Sequence, residues 1–219
     1  MRIITGKYKG RHFEIPRSFK ARPTTDFAKE NIFNVLVQYV DFDGATALDL
    51  FSGTGSISLE LLSRGCSQVV SVELDRDHHR FIQECLKKIG WKVEGGRWME
   101  NSTLHPQPST LNPQPSTITP LRGDVFRFLK SCKQQYDLVF ADPPYALKEL
   151  ATLPDIIFER QLLKENGIFV LEHGKDHDFS EHPHFVEHRQ YGSVNFSLFQ
   201  EGGTREDAVA TTGAETPDE

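Results

Sequence analysis

Apolar residues follow two rhythms along this chain, short unbroken runs and helical spacings of three and four. The runs ATALDLF (45–51), QVVSVELD (68–75), YDLVFAD (136–142) and GIFVLEH (167–173) are bounded by polar or glycine-rich segments and read as buried strands. Between them lie helical patterns. From Asp26 to Val40, Phe33, Leu36, Val37 and Val40 recur at helical spacing, and ISLELLSR (57–64) continues from the first strand's turn. Residues 77–90 place Phe81, Ile82, Cys85, Leu86 and Ile89 on one face. DVFRFLKSC (124–132) starts a further helix, and a later helical stretch is interrupted at Pro154. HFVEHRQY and SVNFSLFQ flank Gly192-Ser193 as a hairpin, and RIIT (2–5) and RHFEI (11–15) flank GKYKG as a smaller one. Strands alternating with helices predict an α/β fold, a parallel sheet covered on both faces and closed by an antiparallel hairpin.

Two segments break the pattern. TLHPQPS is followed directly by TLNPQPS, a tandem repeat that makes 103–120 proline-rich. Residues 94–117 therefore read as an exposed insertion, extended or disordered. From Glu201 onward the chain is small, polar and acidic, and 201–219 read as a disordered tail. The organisation expected is a basic N-terminal hairpin and arm over 1–25, one domain over 26–200, and the tail.

Charge sharpens this division. The formal net charge of −6 argues against a polyanionic partner, but it is unevenly spread. Residues 1–22 hold seven basic side chains (Arg2, Lys7, Lys9, Arg11, Arg17, Lys20 and Arg22) against Glu14 alone, whereas 201–219 hold six acidic against Arg205. A basic arm suited to nucleic acid and an acidic solvated tail give this asymmetry, and so does an ordinary charged surface hairpin. No apolar run approaches the roughly 18 residues of a membrane span, and the start breaks into Gly and Lys too early for a signal peptide. Three scattered cysteines lack metal-ligand spacing and suit a reducing cytoplasm. The histidines at 173, 177, 182, 184 and 188 fit no common zinc spacing. No membrane and no metal are expected, and the chain is expected to be a monomer.

Four stretches carry candidate chemistry. In LDLFSGTGS (48–56), Gly53 and Gly55 sit where a strand turns into a helix, which suits either close approach of a ligand or simply a tight turn. The third glycine of a dinucleotide fingerprint is replaced by Ser58. Glu73, at the end of the second strand, can accept both ribose hydroxyls of a nucleoside; Asp75 is the alternative. Asp124 in RGDVF can bond an adenine amino group with Val125 or Phe126 against the ring, or can simply cap a helix. Finally, Asp142-Pro143-Pro144-Tyr145 ends a buried strand. Two prolines fix the backbone and leave their carbonyls free to accept. One hydrogen of a nucleobase amine can go to Asp142 and the other to the Pro143 carbonyl, with Tyr145 stacked on the base. Held so, the amine's lone pair turns toward an electrophile. A rigid turn with an incidental acid is the plainer reading.

In this order, LDLFSGTGS, VELD, RGD and DPPY resemble the class I S-adenosylmethionine-dependent methyltransferases, and D-P-P-Y resembles the amino methyltransferases among them. RIITGKYKGRHFEIP, ARPTTD and KENIFNVL are similar to the bacterial RsmD family, over residue 2 to about 200 apart from the insertion. The resemblance implies a Rossmann-like fold with a seven-stranded, mostly parallel sheet. It implies methylation of the N2 amine of one guanine in 16S ribosomal RNA (position 966 by analogy), free or in a small-subunit assembly particle. It further implies S-adenosyl-L-methionine as cofactor, near Asp49, Phe51, Gly53, Gly55, Glu73, Leu74, Asp124 and Val125. Asp142, Pro143 and Tyr145 would hold the guanine. Arg2, Lys7, Lys9, Arg11, Arg22 and Thr24 would meet RNA, with Lys29 standing where the family usually has another Arg. A lysine lacks arginine's bidentate fork. The rival readings are an amino methyltransferase acting on DNA adenine or cytosine or on another RNA, an NAD-dependent enzyme, and a non-catalytic RNA-binding module.

Overall fold

A computed structural model describes residues 1–19, 25–101 and 115–202. The strands are β1 (Thr46–Leu50), β2 (Gln68–Glu73), β3 (Lys92–Glu94), β4 (Arg97–Met99), β5 (Thr117–Arg122), β6 (Tyr136–Ala141), β7 (Leu163–His173), β8 (Phe185–Tyr191) and β9 (Val194–Gln200). They form one sheet in the order β3-β4-β5-β2-β1-β6-β7-β9-β8. From β5 to β7 the neighbours are parallel; β9 and β8 close one side antiparallel. The run from β5 to β8 supplies the seven strands expected from the sequence. The order reverses at β1, the switch point where sheets of this kind bind ligands.

The helices are α1 (Asp26–Leu36), α2 (Ser56–Ser63), α3 (Arg76–Lys88), α4 (Val125–Ser131) and α5 (Leu153–Glu159). Two cores flank the sheet. One joins Ile32, Phe33, Leu59, Phe81 and Ile82 of α1–α3 to Ala47, Val69, Leu138, Phe140, Ile168 and Val170. The other joins Val125, Leu129 and Ile157 of α4 and α5 to Leu48, Leu50, Val70, Val72, Val139, Phe169 and Leu171. Side chains alternate across a strand, so continuing each pattern puts Asp49, Glu73, Asp142 and Glu172 on the α1–α3 side. That shared parity assembles the site.

Three expectations need correction. The insertion is shorter than 94–117: β3 and β4 pair as a hairpin, and Trp98 lies opposite Ile118 of β5. Trp98 is buried, and Gly95 and Gly96 turn at φ 56° and 81°, the two positive values a tight hairpin turn needs. The repeat itself lies largely outside the described residues, as does the tail from 203. Pro154 does not interrupt a helix. It sits in the first turn of α5, where its missing N–H costs nothing. At the N-terminus the two expected strands reduce to a single bridge, Arg2 to His12, with Ile3 and Arg11 bonded at 3.0 Å. Among the described residues no helix is long and apolar enough to cross a membrane.

Candidate active site

The C-terminal strand edge opens into a cleft of about 1190 Å³. Ten of the predicted site residues line it: Asp49, Phe51, Gly53, Glu73, Leu74, Asp124, Val125, Asp142, Pro143 and Tyr145. Gly55 does not. Its φ of 74° makes the left-handed turn into α2, and a Cβ there would stand 2.8 Å from Ile82 Cγ1. Gly55 therefore shapes the loop from behind, through packing against α3. Gly53 faces the open side, and its N–H donates to Glu73 Oε2 at 2.7 Å.

Asp49 is 1% exposed and accepts hydrogen bonds from the Ser58 N–H, at 3.0 Å, and the Ser58 hydroxyl. Burial pushes its pKa up to about 7; the two Ser58 bonds oppose the rise, and the Glu73 charge adds to it. Among the described residues no cation pairs with it. Glu73 is also buried and accepts the Asp75 N–H at 2.7 Å, with His78 Nδ1 3.8 Å away. Asp75 caps α3 through the N–H groups of Asp77 and His78, and Asp124 caps α4 through the Arg127 N–H at 2.8 Å. Asp124 also borders the cleft beside Val125 and Phe126, so capping and lining coincide in one residue.

The D-P-P-Y corner is tied down at its start, where the Asp142 N–H donates to Leu50 O at 3.2 Å. Pro143 is buried and Tyr145 half-exposed, its ring passing so close to Gly174 that a Cβ there would lie 3.4 Å away. The Tyr145 hydroxyl donates to Glu172 Oε1 at 3.1 Å. Burial, then Glu172, then Asp142 hold this phenol well above its ordinary pKa, so it remains a donor.

Sequence reasoning missed Glu172, His78, Ser56 and Ser193, all on the cleft wall. Glu172 had a signal: in GIFVLEH the acid follows apolar residues of fixed parity and marks the strand's ligand-facing end.

The basic arm divides. Lys9 and Arg11 are exposed and make no ion pair among the described residues. Arg2 pairs with Asp26 at 3.1 Å, and Lys7 with Glu100. Arg22 and Thr24 lie outside the described residues. Lys29 corrects an expectation, because it is fully buried and unavailable to RNA. Its ammonium donates to Arg2 O at 2.6 Å and Ser56 Oγ at 3.0 Å, with Glu60 Oε2 at 3.7 Å. Glu60 in turn accepts the N–H groups of Ile4 and Thr5 and pairs with Arg64. This buried cluster fastens the arm to α2. Of the crowded histidines, His173 is bonded to Ser197 Oγ and Gly174 O, both at 2.8 Å. Among the described residues no group of three or more His, Cys, Asp or Glu is placed to hold a metal.

A buried carboxylate with no counter-charge among the described residues, at a switch-point cleft, suits a ligand that brings positive charge and a ribose to Glu73. S-adenosylmethionine, with its sulfonium and ammonium, fits that donor set. Strand order, glycine loop and the D-P-P-Y corner on the cleft wall together define a class I methyltransferase. The chain belongs to the family described as conserved hypothetical protein 95, the RsmD family, whose sequence profile matches residues 1–107 and 102–200. Among its relatives is YlbH of Bacillus subtilis, provisionally named an rRNA methyltransferase, 33% identical over 83% of this chain and 86% of that protein. Ribosomal RNA small subunit methyltransferase D of Haemophilus influenzae is 28% identical over 91% of this chain and 93% of its own. A solved structure of a hypothetical protein from Thermus thermophilus is 26% identical and superposes with a TM-score of 0.69, covering 91% and 99% of the two chains.

Proposed function

We propose that this protein transfers a methyl group from S-adenosylmethionine to the N2 amine of a guanine in 16S ribosomal RNA, in the cytoplasm, on free RNA or an assembling small subunit. The observation that carries the reading is the meeting, in one cleft, of Asp49 and Glu73 with a D-P-P-Y corner whose aromatic ring is half-exposed. The H. influenzae relative, named for the small-subunit RNA, supports the substrate class.

When bound, S-adenosylmethionine supplies a methyl carbon made electrophilic by its positive sulfur. Asp49 and Glu73 orient that donor by its charge and its ribose. Asp142 and the Pro143 carbonyl take the two amine hydrogens, so the nitrogen lone pair points at the methyl carbon. Tyr145 stacks on a base that has left its helix, as recessed base-modifying sites require. Transfer would form the N–C bond as the C–S bond breaks, with one amine proton released to water, giving N2-methylguanine and S-adenosylhomocysteine. The exposed Lys9 and Arg11 supply charge for RNA phosphates, which makes affinity fall with salt.

Labelled methyl donor, offered with small subunits from cells lacking this protein and in parallel with DNA, tests the reading. Incorporation into one guanine of the subunit RNA is expected, and incorporation into DNA alone would overturn it. Asp142→Ala should bind S-adenosylhomocysteine as the parent does and lose transfer by on the order of a thousandfold; retained turnover would remove Asp142 from the chemistry.

A further inference from the structure

The register of β6 and β7 sets Ala141 beside Leu171. Asp142 and Glu172, the next residue on each strand, therefore leave adjacent strands side by side, on the same face of the sheet. Glu172 is only 4% exposed, although it borders the same cleft as Asp142 and accepts the Tyr145 hydroxyl. A carboxylate can accept from about four donors, and Glu172 meets the cleft on the side from which a bound base would offer one.

The chemistry of the bases says which ligand supplies such a donor. In guanine the N2 amine is flanked by N1–H, a second donor. In adenine and cytosine the amine is flanked instead by a ring nitrogen whose lone pair accepts. Two carboxylates on neighbouring strands can take the amine and the N1–H of guanine together. Adenine or cytosine would set a lone pair against a buried carboxylate. We propose that Glu172 selects guanine, accepting N1–H while Asp142 accepts from the N2 amine. The inference rests on the reading of the cleft as a guanine-N2 methyltransferase site. It adds the residue that decides which base is accepted. A site built to bond an N–H rejects an analogue lacking it by up to about 10⁴-fold, because its own buried group is left unpaired.

The test uses small-subunit RNA with either guanine or 2-aminopurine at the mapped acceptor. 2-Aminopurine keeps the same amine but has an accepting N1 and no O6. The parent protein should prefer guanine by at least about 100-fold in kcat/KM; equal use of the two bases would overturn the proposal without any mutant. Glu172→Gln keeps an oxygen for the Tyr145 hydroxyl and offers an N–H to an accepting N1. It should bind S-adenosylhomocysteine unchanged while its guanine preference falls at least about tenfold. Because loss of O6 affects parent and variant alike, the ratio of the two preferences isolates N1–H. A variant that keeps the parent's preference removes Glu172 from base selection and leaves guanine methylation standing. A parent that methylates adenine or cytosine and no guanine overturns the functional reading, and this one with it.

Discussion

Helix α2 separates two buried carboxylates that are treated in opposite ways. On the arm side, Glu60 is met by Lys29, Arg64 and the N–H groups of Ile4 and Thr5. On the cleft side, the hydrogen bonds to Asp49 among the described residues come from Ser58, with Glu73 nearby as a second negative charge. Burial is nearly total at both. Glu60 is a structural charge, satisfied within the fold. Asp49 is a charge kept short of partners, and its pKa of about 7 records the deficit. The contrast separates a residue that holds the protein together from one whose burial a cationic ligand would offset.

The largest effect expected on this contrast is at Glu60. Glu60→Gln leaves the Lys29 ammonium buried without its counter-charge and should cost roughly 3–5 kcal/mol in urea unfolding. A loss under about 1 kcal/mol would mean the cluster behaves as a surface pair and the contrast fails.

Asp49→Asn should act with the opposite sign on stability. The folded protein holds the Asp49 proton up to about pH 7, whereas the unfolded chain releases it near 3.8. The folded state therefore binds more protons across that interval, and stability declines as pH rises through it. The penalty is complete above pH 7 and absent below the unfolded value. Asparagine removes the penalty, so the unliganded variant should melt a few degrees higher than the parent at pH 8, yet bind S-adenosylmethionine at least about tenfold more weakly. A lower melting temperature at pH 8 would show that Asp49 is satisfied as Glu60 is.

The smallest effect is the pH dependence of binding itself. A cationic ligand favours ionised Asp49, so affinity should weaken several-fold from pH 8 to pH 6 as the group takes up its proton. Calorimetry in buffers of different ionisation heat should register proton release on binding near pH 7. In Asp49→Asn both signals should vanish; their persistence would locate the titration elsewhere.

Much of this was legible in the sequence because strand parity is local. ATALDLF, QVVSVELD and YDLVFAD place their acids by counting residues, and Asp49, Glu73 and Asp142 all reach the cleft. Gly55 was misplaced because a glycine required by Ile82 of another helix looks like one required by a ligand. Lys29 was misplaced for a related reason. Helical position alone does not show that Glu60, 31 residues away in sequence, waits to neutralise it. Counting along GIFVLEH places Glu172 at its strand's end in the same way, but its position beside Asp142 depends on the pairing of β7 with β6, which one strand's sequence does not state. The β3–β4 hairpin was obscured by the prolines that follow it, although Gly95-Gly96 announces its turn.

That small hairpin also affects how the molecule behaves in a crowded solution. Without it, β5 would form one rim of the sheet, presenting a row of unsatisfied amides and carbonyls to any passing strand. The rim is instead β3, three residues long, exposed throughout, and bounded by Lys92 and Glu94. The opposite rim, β8, carries Glu187, His188 and Arg189. Short or charged borders of this kind are poor templates for strand addition, so the nine-stranded sheet resists edge-to-edge aggregation at both ends.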